Sequence, residues 1–167
     1  MILEPCCFNK QLTDVIASPR EVEHLFVSGG VDLQLMMDYF IRHSPECDVY
    51  LVLVQVSDST IRTIAKMMEA RINNGTEPLV RSFTLLSQGY QRKEIAEALG
   101  KYRQEGRLIV LEDDSAFRCL CVGNQKNSFV LQGSIPQIAG YSTQMMTLTK
   151  SRKHYDHVMS VLKHRKS

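Results

Sequence analysis

The sequence predicts a single α/β domain built on a mixed, mainly parallel sheet with helices on both faces, and three observations carry that expectation. Strand-like and helix-like segments alternate from residue 24 to residue 111 in the order β-α-β-α-β-α-β, which calls for right-handed crossovers and a parallel sheet. Beyond residue 117 the strand candidates crowd together around Gly123-Asn124-Gln125-Lys126-Asn127, a stretch of hairpin-turn composition, so two of them should pair antiparallel. An amphipathic segment at residues 153–163 closes the chain as a last helix. At 167 residues, 44% apolar and 23% charged, the chain is long enough to bury a full core and is neither disordered nor fibrous in composition.

Each element has its own local signal. Leu25-Phe26-Val27 is a short apolar run stopped by Ser28-Gly29-Gly30, and Asp32 can cap a helix whose apolar positions Leu33, Met36, Met37 and Phe40 recur at helical spacing. That helix should end near Ser44-Pro45, because the residue before a proline is steered away from helical dihedrals. Residues 48–56 form the strongest strand candidate: Val49 to Val54 is apolar on both faces and rich in β-branching, as in a central strand covered on both sides. Ser57 or Asp58 can cap the next helix, with Ile61, Ile64, Met67, Met68 and Ile72 as its stripe and Asn73-Asn74-Gly75 as its stop. The methionines read as core filler.

Residues 79–86 supply another strand, residues 92–104 a helix with Ile95, Ala96, Leu99 and Tyr102 inward, and residues 108–111 a strand after Gly106. Further strands are expected at 117–122, 128–132 and 144–148, and the last helix should bury Tyr155, Val158, Met159 and Leu162. There is no internal repeat or low-complexity tract, so one domain is expected over residues 21–167 behind an N-terminal extension, 1–20.

Composition excludes several classes. The longest apolar run, Val49 to Val54, is far short of the roughly 20 residues a bilayer-spanning helix needs, so no membrane partner is expected. Met1 to Phe8 carries Glu4 and Pro5 and has neither a basic start nor a long apolar stretch, so it does not read as a signal peptide and a cytoplasmic location is the expectation. Five cysteines with no Cys-x-x-Cys pair suggest reduced thiols, with Cys119 and Cys121 on one strand face as small hydrophobes. No cofactor is implied. The formal charge is +2, but residues 150–167 hold six lysines and arginines against Asp156 alone, a net of +5, leaving −3 on the rest. Lys150, Arg152 and Lys153 are therefore candidate contacts for a nucleic acid or an acidic partner, although a basic face on a terminal helix is commonly just solvated.

The alternating half, the strand-turn-strand hairpin, Gly133-Ser134 and the closing helix together resemble the phospholipase D-like superfamily of phosphodiesterases and nucleases, over about residues 25–162. Its members carry His-x-Lys-x-x-x-x-Asp on one strand, a hairpin, and then Gly-Ser-x-Asn. Phe129-Val130-Leu131-Gln132-Gly133-Ser134 fits the second element, but counting back places Ala116-Phe117-Arg118 at His-x-Lys, Gly123 at the aspartate and Pro136 at the asparagine. The resemblance implies an α/β fold with a phosphate-binding remnant of Arg118, Gly133 and Ser134 and no catalytic residue, since alanine offers neither nucleophile nor proton while arginine still clamps phosphate. Single-motif members pair as two-fold dimers, so a homodimer is also implied, with Ala116 in both copies.

Competing readings remain. Residues 91–107 resemble the first half of a helix-turn-helix, although only residues 101–105 are left for a recognition helix. An atypical phosphodiesterase or nuclease site, or an accessory role toward another protein, is compatible with the same residues. Ser28-Gly29-Gly30 can be a plain βα turn or a weak phosphate loop. His154 and His157 lie one helical turn apart but lack further metal ligands, and Glu112-Asp113-Asp114 reads as an acidic loop. No metal site is expected.

Overall fold

The computed structural model describes residues 2–3, 14, 17–18, 20–28, 33–53, 56–69, 80–87, 92–111, 118–133 and 144–164. Its elements run β1 (Ile2–Leu3), β2 (Val22–Ser28), α1 (Leu33–His43), β3 (Cys47–Leu53), α2 (Asp58–Glu69), β4 (Val80–Ser87), α3 (Arg92–Gln104), β5 (Leu108–Leu111), β6 (Cys119–Gly123), β7 (Ser128–Gly133), β8 (Gln144–Lys150) and α4 (Arg152–His164). All the strands join one sheet in the order β1-β2-β8-β7-β6-β3-β4-β5. Within it β1-β2, β3-β4 and β4-β5 are parallel pairs, while β2-β8, β8-β7, β7-β6 and β6-β3 are antiparallel. Only β6 and β8 run against the other strands, so the sheet is mainly parallel in direction although its middle pairs antiparallel.

The first crossover is long. β2 and β3 are consecutive strands of the alternating half, yet β8, β7 and β6 lie between them. From β2 through β3 and β4 to β5 the chain moves the same way across the sheet, and right-handed crossovers then place α1, α2 and α3 on one face. That face holds the larger core: Met36, Met37 and Phe40 of α1, Ile61, Ile64, Met67 and Met68 of α2, and Leu99 and Tyr102 of α3 pack on Val49, Leu51, Phe83, Leu85, Leu120 and Phe129. Ala96 of α3, expected inward from its spacing, is exposed instead. The other face belongs to α4, whose Tyr155, Val158, Met159 and Leu162 pack on Tyr50, Val52, Cys119, Cys121 and Val130. Period-2 pleating makes the division, since Val49 and Leu51 face one way and Tyr50 and Val52 the other.

Local chemistry fixes the boundaries. Of the two capping choices the structure takes Ser57, whose Oγ accepts from Thr60 N at 3.3 Å while its carbonyl accepts from Ile61 N at 3.1 Å. Asp58 is then the acidic residue of the first turn. In the hairpin, Asn124 Oδ1 accepts from the backbone N–H groups of Lys126 and Asn127, both at 2.8 Å, and Asn124 N donates to Asn127 O at 2.8 Å. Ser151 caps α4, with Oγ accepting from His154 N at 3.3 Å and O accepting from Tyr155 N at 2.9 Å.

The helix-turn-helix reading is not built. α3 continues through Gly100 to Gln104, the chain turns at Gly106 with φ 70°, and β5 then pairs parallel with β4 at the edge of the sheet. Residues 101–104 are thus the end of one helix, and the next element is a sheet strand with no recognition helix before it. The structure also adds β1, a two-residue edge strand contributed by the first twenty residues. Cys47, Cys119 and Cys121 are buried thiols, with Cys121 Sγ 3.9 Å from Cys119 Sγ, and burial pushes the Cys47 thiol up to about 12.

Candidate functional site

Two clefts border α4 near the ends of the β6–β7 hairpin. At the strand-exit end, Gly133 N donates to Arg118 O at 3.3 Å, which brings the expected phosphate residues Arg118 and Gly133 level. Gly133 has φ 113°, a conformation that favours glycine. Ala116, Ser134 and Pro136 lie outside the described residues, as do Gly29-Gly30 and Glu112-Asp113-Asp114.

Beside Gly133 is an open cleft of about 430 Å³, walled by Glu23, Gln132, Thr147, Thr149 and His154. Its residues arrive by pleat and helix phase: Gln132 shares the α4 face with Val130, Thr147 and Thr149 sit across β8, and α4 carries His154 over them. His154 Nε2 and Gln132 Oε1 are 3.1 Å apart. In the sequence His154 pairs only with His157, which is exposed. The cleft depends on β7, β8 and α4 meeting, and no local spacing signals that.

The turn end is different. Gly123, at the position counted for the family's aspartate, is buried beneath α4: a Cβ built there would stand 2.7 Å from Tyr155 Cζ and 2.8 Å from Cε2. An aspartate has no room at 123 while Tyr155 holds this place. Opposite Gly123 stands Asp48, whose Oδ1 accepts from Arg81 Nε at 3.1 Å and Ser82 Oγ at 2.6 Å, with Arg81 Nη2 on Oδ2. These residues border a groove of about 630 Å³ between α4 and strands β3 to β5, floored by Tyr50, Thr84 and Ile109. Burial pushes the Asp48 carboxyl up, but the hydrogen bonds from Arg81 and Ser82 and the charges of Arg81 and Lys163 outweigh it, so the carboxyl titrates below its ordinary range.

A lowered carboxylate stabilises the fold above its unfolded pKa and loses that contribution as pH falls through the folded value. Arg81 is mostly in water, so the ion pair is worth about 1 kcal/mol. Asp48→Asn is therefore expected to cost about that much at neutral pH and to flatten the loss of stability below about pH 4. Urea midpoints from neutral to acid pH measure it, and an unchanged acid slope would contradict it.

The three basic residues singled out from sequence separate here. Lys153 is exposed on α4, whereas Lys150 and Arg152 meet Arg20 and Lys126 around a small pocket of about 200 Å³ at the hairpin turn. Lys150 Nζ donates to Ser18 O at 2.8 Å, and Arg152 Nη1 donates to Asn124 O at 2.7 Å. Arg20 and Lys126 escaped sequence reasoning, since one precedes β2 and the other reads as a turn residue. Among the described residues no group of three or more His, Cys, Asp or Glu could hold a metal, and no helix is long and apolar enough to cross a membrane.

No family model matches the chain, and no curated protein matches it by sequence. Solved structures do. NucT from Helicobacter pylori superposes with a TM-score of 0.55 at 12% identity, over 87% of this chain and 95% of that one. TrmBL2, an archaeal chromatin protein whose structure shows a novel mode of DNA binding, superposes with a TM-score of 0.53 at 12% identity, over 95% of this chain. The match spans 57% of TrmBL2's chain. The likeness shows the fold alone: a single α/β domain with a mixed sheet, similar to that of NucT.

Proposed function

We propose that this chain is a nucleic-acid-binding domain of phospholipase D-like fold that does not turn over phosphodiesters and acts by binding or as an accessory to another protein. The observation that carries this reading is the polar cleft of Gln132, Gly133, Thr147, Thr149 and His154, together with the backbone pairing of its Gly133 to the exposed Arg118. An arginine there supplies charge and paired N–H donors to a phosphate, and the threonines and glutamine supply neutral partners. Ala116, at the counted position of the nucleophilic histidine, removes the covalent route. The DNA-related description of TrmBL2 and the basic segment containing Lys150, Arg152 and Lys153 agree with a nucleic-acid ligand.

Fluorescence anisotropy with labelled single- and double-stranded DNA and with RNA tests the reading. Affinity should fall steeply as salt rises from about 50 to 200 mM, and Arg118→Ala should weaken binding and reduce the slope of log K against log salt by about 1. Salt-independent binding, or none, would remove the nucleic-acid ligand. The same samples assayed for phosphodiester cleavage should show no turnover.

A second reading, an atypical phosphodiesterase, has one observation in its favour, the histidine in the Gly133 cleft. Cleavage that disappears in both His154→Ala and Arg118→Ala would establish it and overturn the non-catalytic one.

A further inference from the structure

We propose that the pocket at the turn of the β6–β7 hairpin is a built binding site for a phosphoryl group, separate from the Arg118 and Gly133 end. Ser128 opens β7 and Gly133 closes it, so the two places are about 17 Å apart at the usual strand rise. The pocket has a volume of about 200 Å³, room for one tetrahedral oxyanion and a few waters. Four cations line it, Arg20, Lys126, Lys150 and Arg152, against one carboxylate, Glu21. Two of the cations are already held in place by backbone carbonyls, Lys150 by Ser18 and Arg152 by Asn124. Preorganised charge of this kind costs little ordering entropy when an anion arrives.

Two further features point to an anion. The pocket lies at the N-terminus of α4, a helix of 13 residues, where the helix dipole favours negative charge. Glu21 already exploits that end, since its Oε1 accepts from Ser151 Oγ at 2.7 Å. Independently, Ser128 lines the same pocket, is only 5% exposed, and its Oγ has no hydrogen-bond partner. Leaving a buried hydroxyl unpaired costs about 1–3 kcal/mol, so a ligand oxygen that accepts from it regains part of that loss. By the pleat Ser128 shares the α4 face with Val130, the face on which Ser151 caps the helix. The charge, the helix end and the orphaned hydroxyl thus coincide at one place.

The phosphoryl group can come from inorganic phosphate or from a nucleic-acid backbone, and the test separates these sources. Titration calorimetry and thermal denaturation with inorganic phosphate, against chloride at matched ionic strength, should give saturable heat and a rise in Tm for the wild-type protein. Arg20→Gln combined with Lys126→Gln, made in the Arg118→Ala background, should abolish both. Ser128→Ala should leave Tm without phosphate equal or higher, because it deletes an unpaired hydroxyl, while weakening phosphate binding about tenfold. Because Arg118 is itself proposed to hold a phosphate, the titration is repeated in the Arg118→Ala background, where the saturable response that persists belongs to this site, so failure of the nucleic-acid reading and failure of this site are distinguishable. Equal responses to phosphate and chloride, or wild-type binding in both the Ser128 and the Arg20/Lys126 variants, would overturn the site. A short oligonucleotide that competes with phosphate identifies the backbone as the source, and one that does not identifies the free anion; both results retain the site.

Discussion

Gly123→Ala is expected to destabilise the protein by about 1–3 kcal/mol, the magnitude of overpacking in a filled core. The sign is the informative part. A glycine replaced by alanine at an unstrained position gains about 0.4–1 kcal/mol through reduced freedom of the unfolded chain. Gly123 has no positive φ to penalise alanine, so that gain should apply here unless space forbids it. Space does forbid it: Cζ, Cε2 and Oη of Tyr155 would lie 2.7, 2.8 and 3.0 Å from the new Cβ. Tyr155 is buried in the α4 core, and the Arg152 guanidinium lies 5.5 Å from its ring centroid. The ring can yield only by swinging toward the neighbouring groove and giving up burial. Gly123→Asp should cost more, about 3 kcal/mol or above, because it adds a carboxylate directly across from Asp48.

A double-mutant cycle isolates the cause. Tyr155→Leu keeps apolar packing but removes the three atoms that approach Gly123, so Gly123→Ala in that background should be neutral or stabilising. Chemical denaturation of the four proteins gives the coupling, expected at about 1–3 kcal/mol. Additive effects would show that Tyr155 does not set the requirement for glycine. The cycle also bears on position 123: with Tyr155 in place, introducing an aspartate there alone should loosen the turn end of the hairpin.

Much of this architecture was legible in the sequence because it is written locally. The stripe of Tyr155, Val158, Met159 and Leu162 is a helical phase, Cys119 and Cys121 share a face by strand pleat, and Ser57 announces α2 by its capping chemistry. Neighbourhood in the sheet is not local. Nothing between Ser28 and Cys47 reports that three later strands insert between β2 and β3, because that choice is made by the β2–β8 and β6–β3 pairings. The same holds for the basic pocket, where Ser18 and Lys150 meet across 132 residues of chain. The helix-turn-helix reading failed for a related reason. An amphipathic helix with one glycine is the same object in both folds, and only the next element, β5 in register with β4, distinguishes them.

Phe129→Ala is expected to be the most damaging single truncation near the candidate site, at about 3–5 kcal/mol. Phe129 and Phe40 are both almost fully buried, with ring centroids 5.2 Å apart and planes inclined at 30°. Phe40 belongs to α1, the helix of the crossover between β2 and β3, and the stack fixes α1 on β7, one of the strands inserted between them. Two hydrogen bonds tie the adjoining turn to the end of the same crossover, Asn127 Nδ2 to His43 O at 3.0 Å and Asn124 Nδ2 to Pro45 O at 2.9 Å. Each contributes about 1 kcal/mol, so the aromatic pair dominates the anchoring. The hairpin it holds carries Arg118 and Gly133 at one end and Ser128 at the other. Losing the stack should therefore raise amide hydrogen exchange in β6 and β7 more than in β4, and weaken binding at both ends of the hairpin together. Exchange that rises equally in β4 would mean that the stack supports the whole domain and gives the hairpin no separate hold.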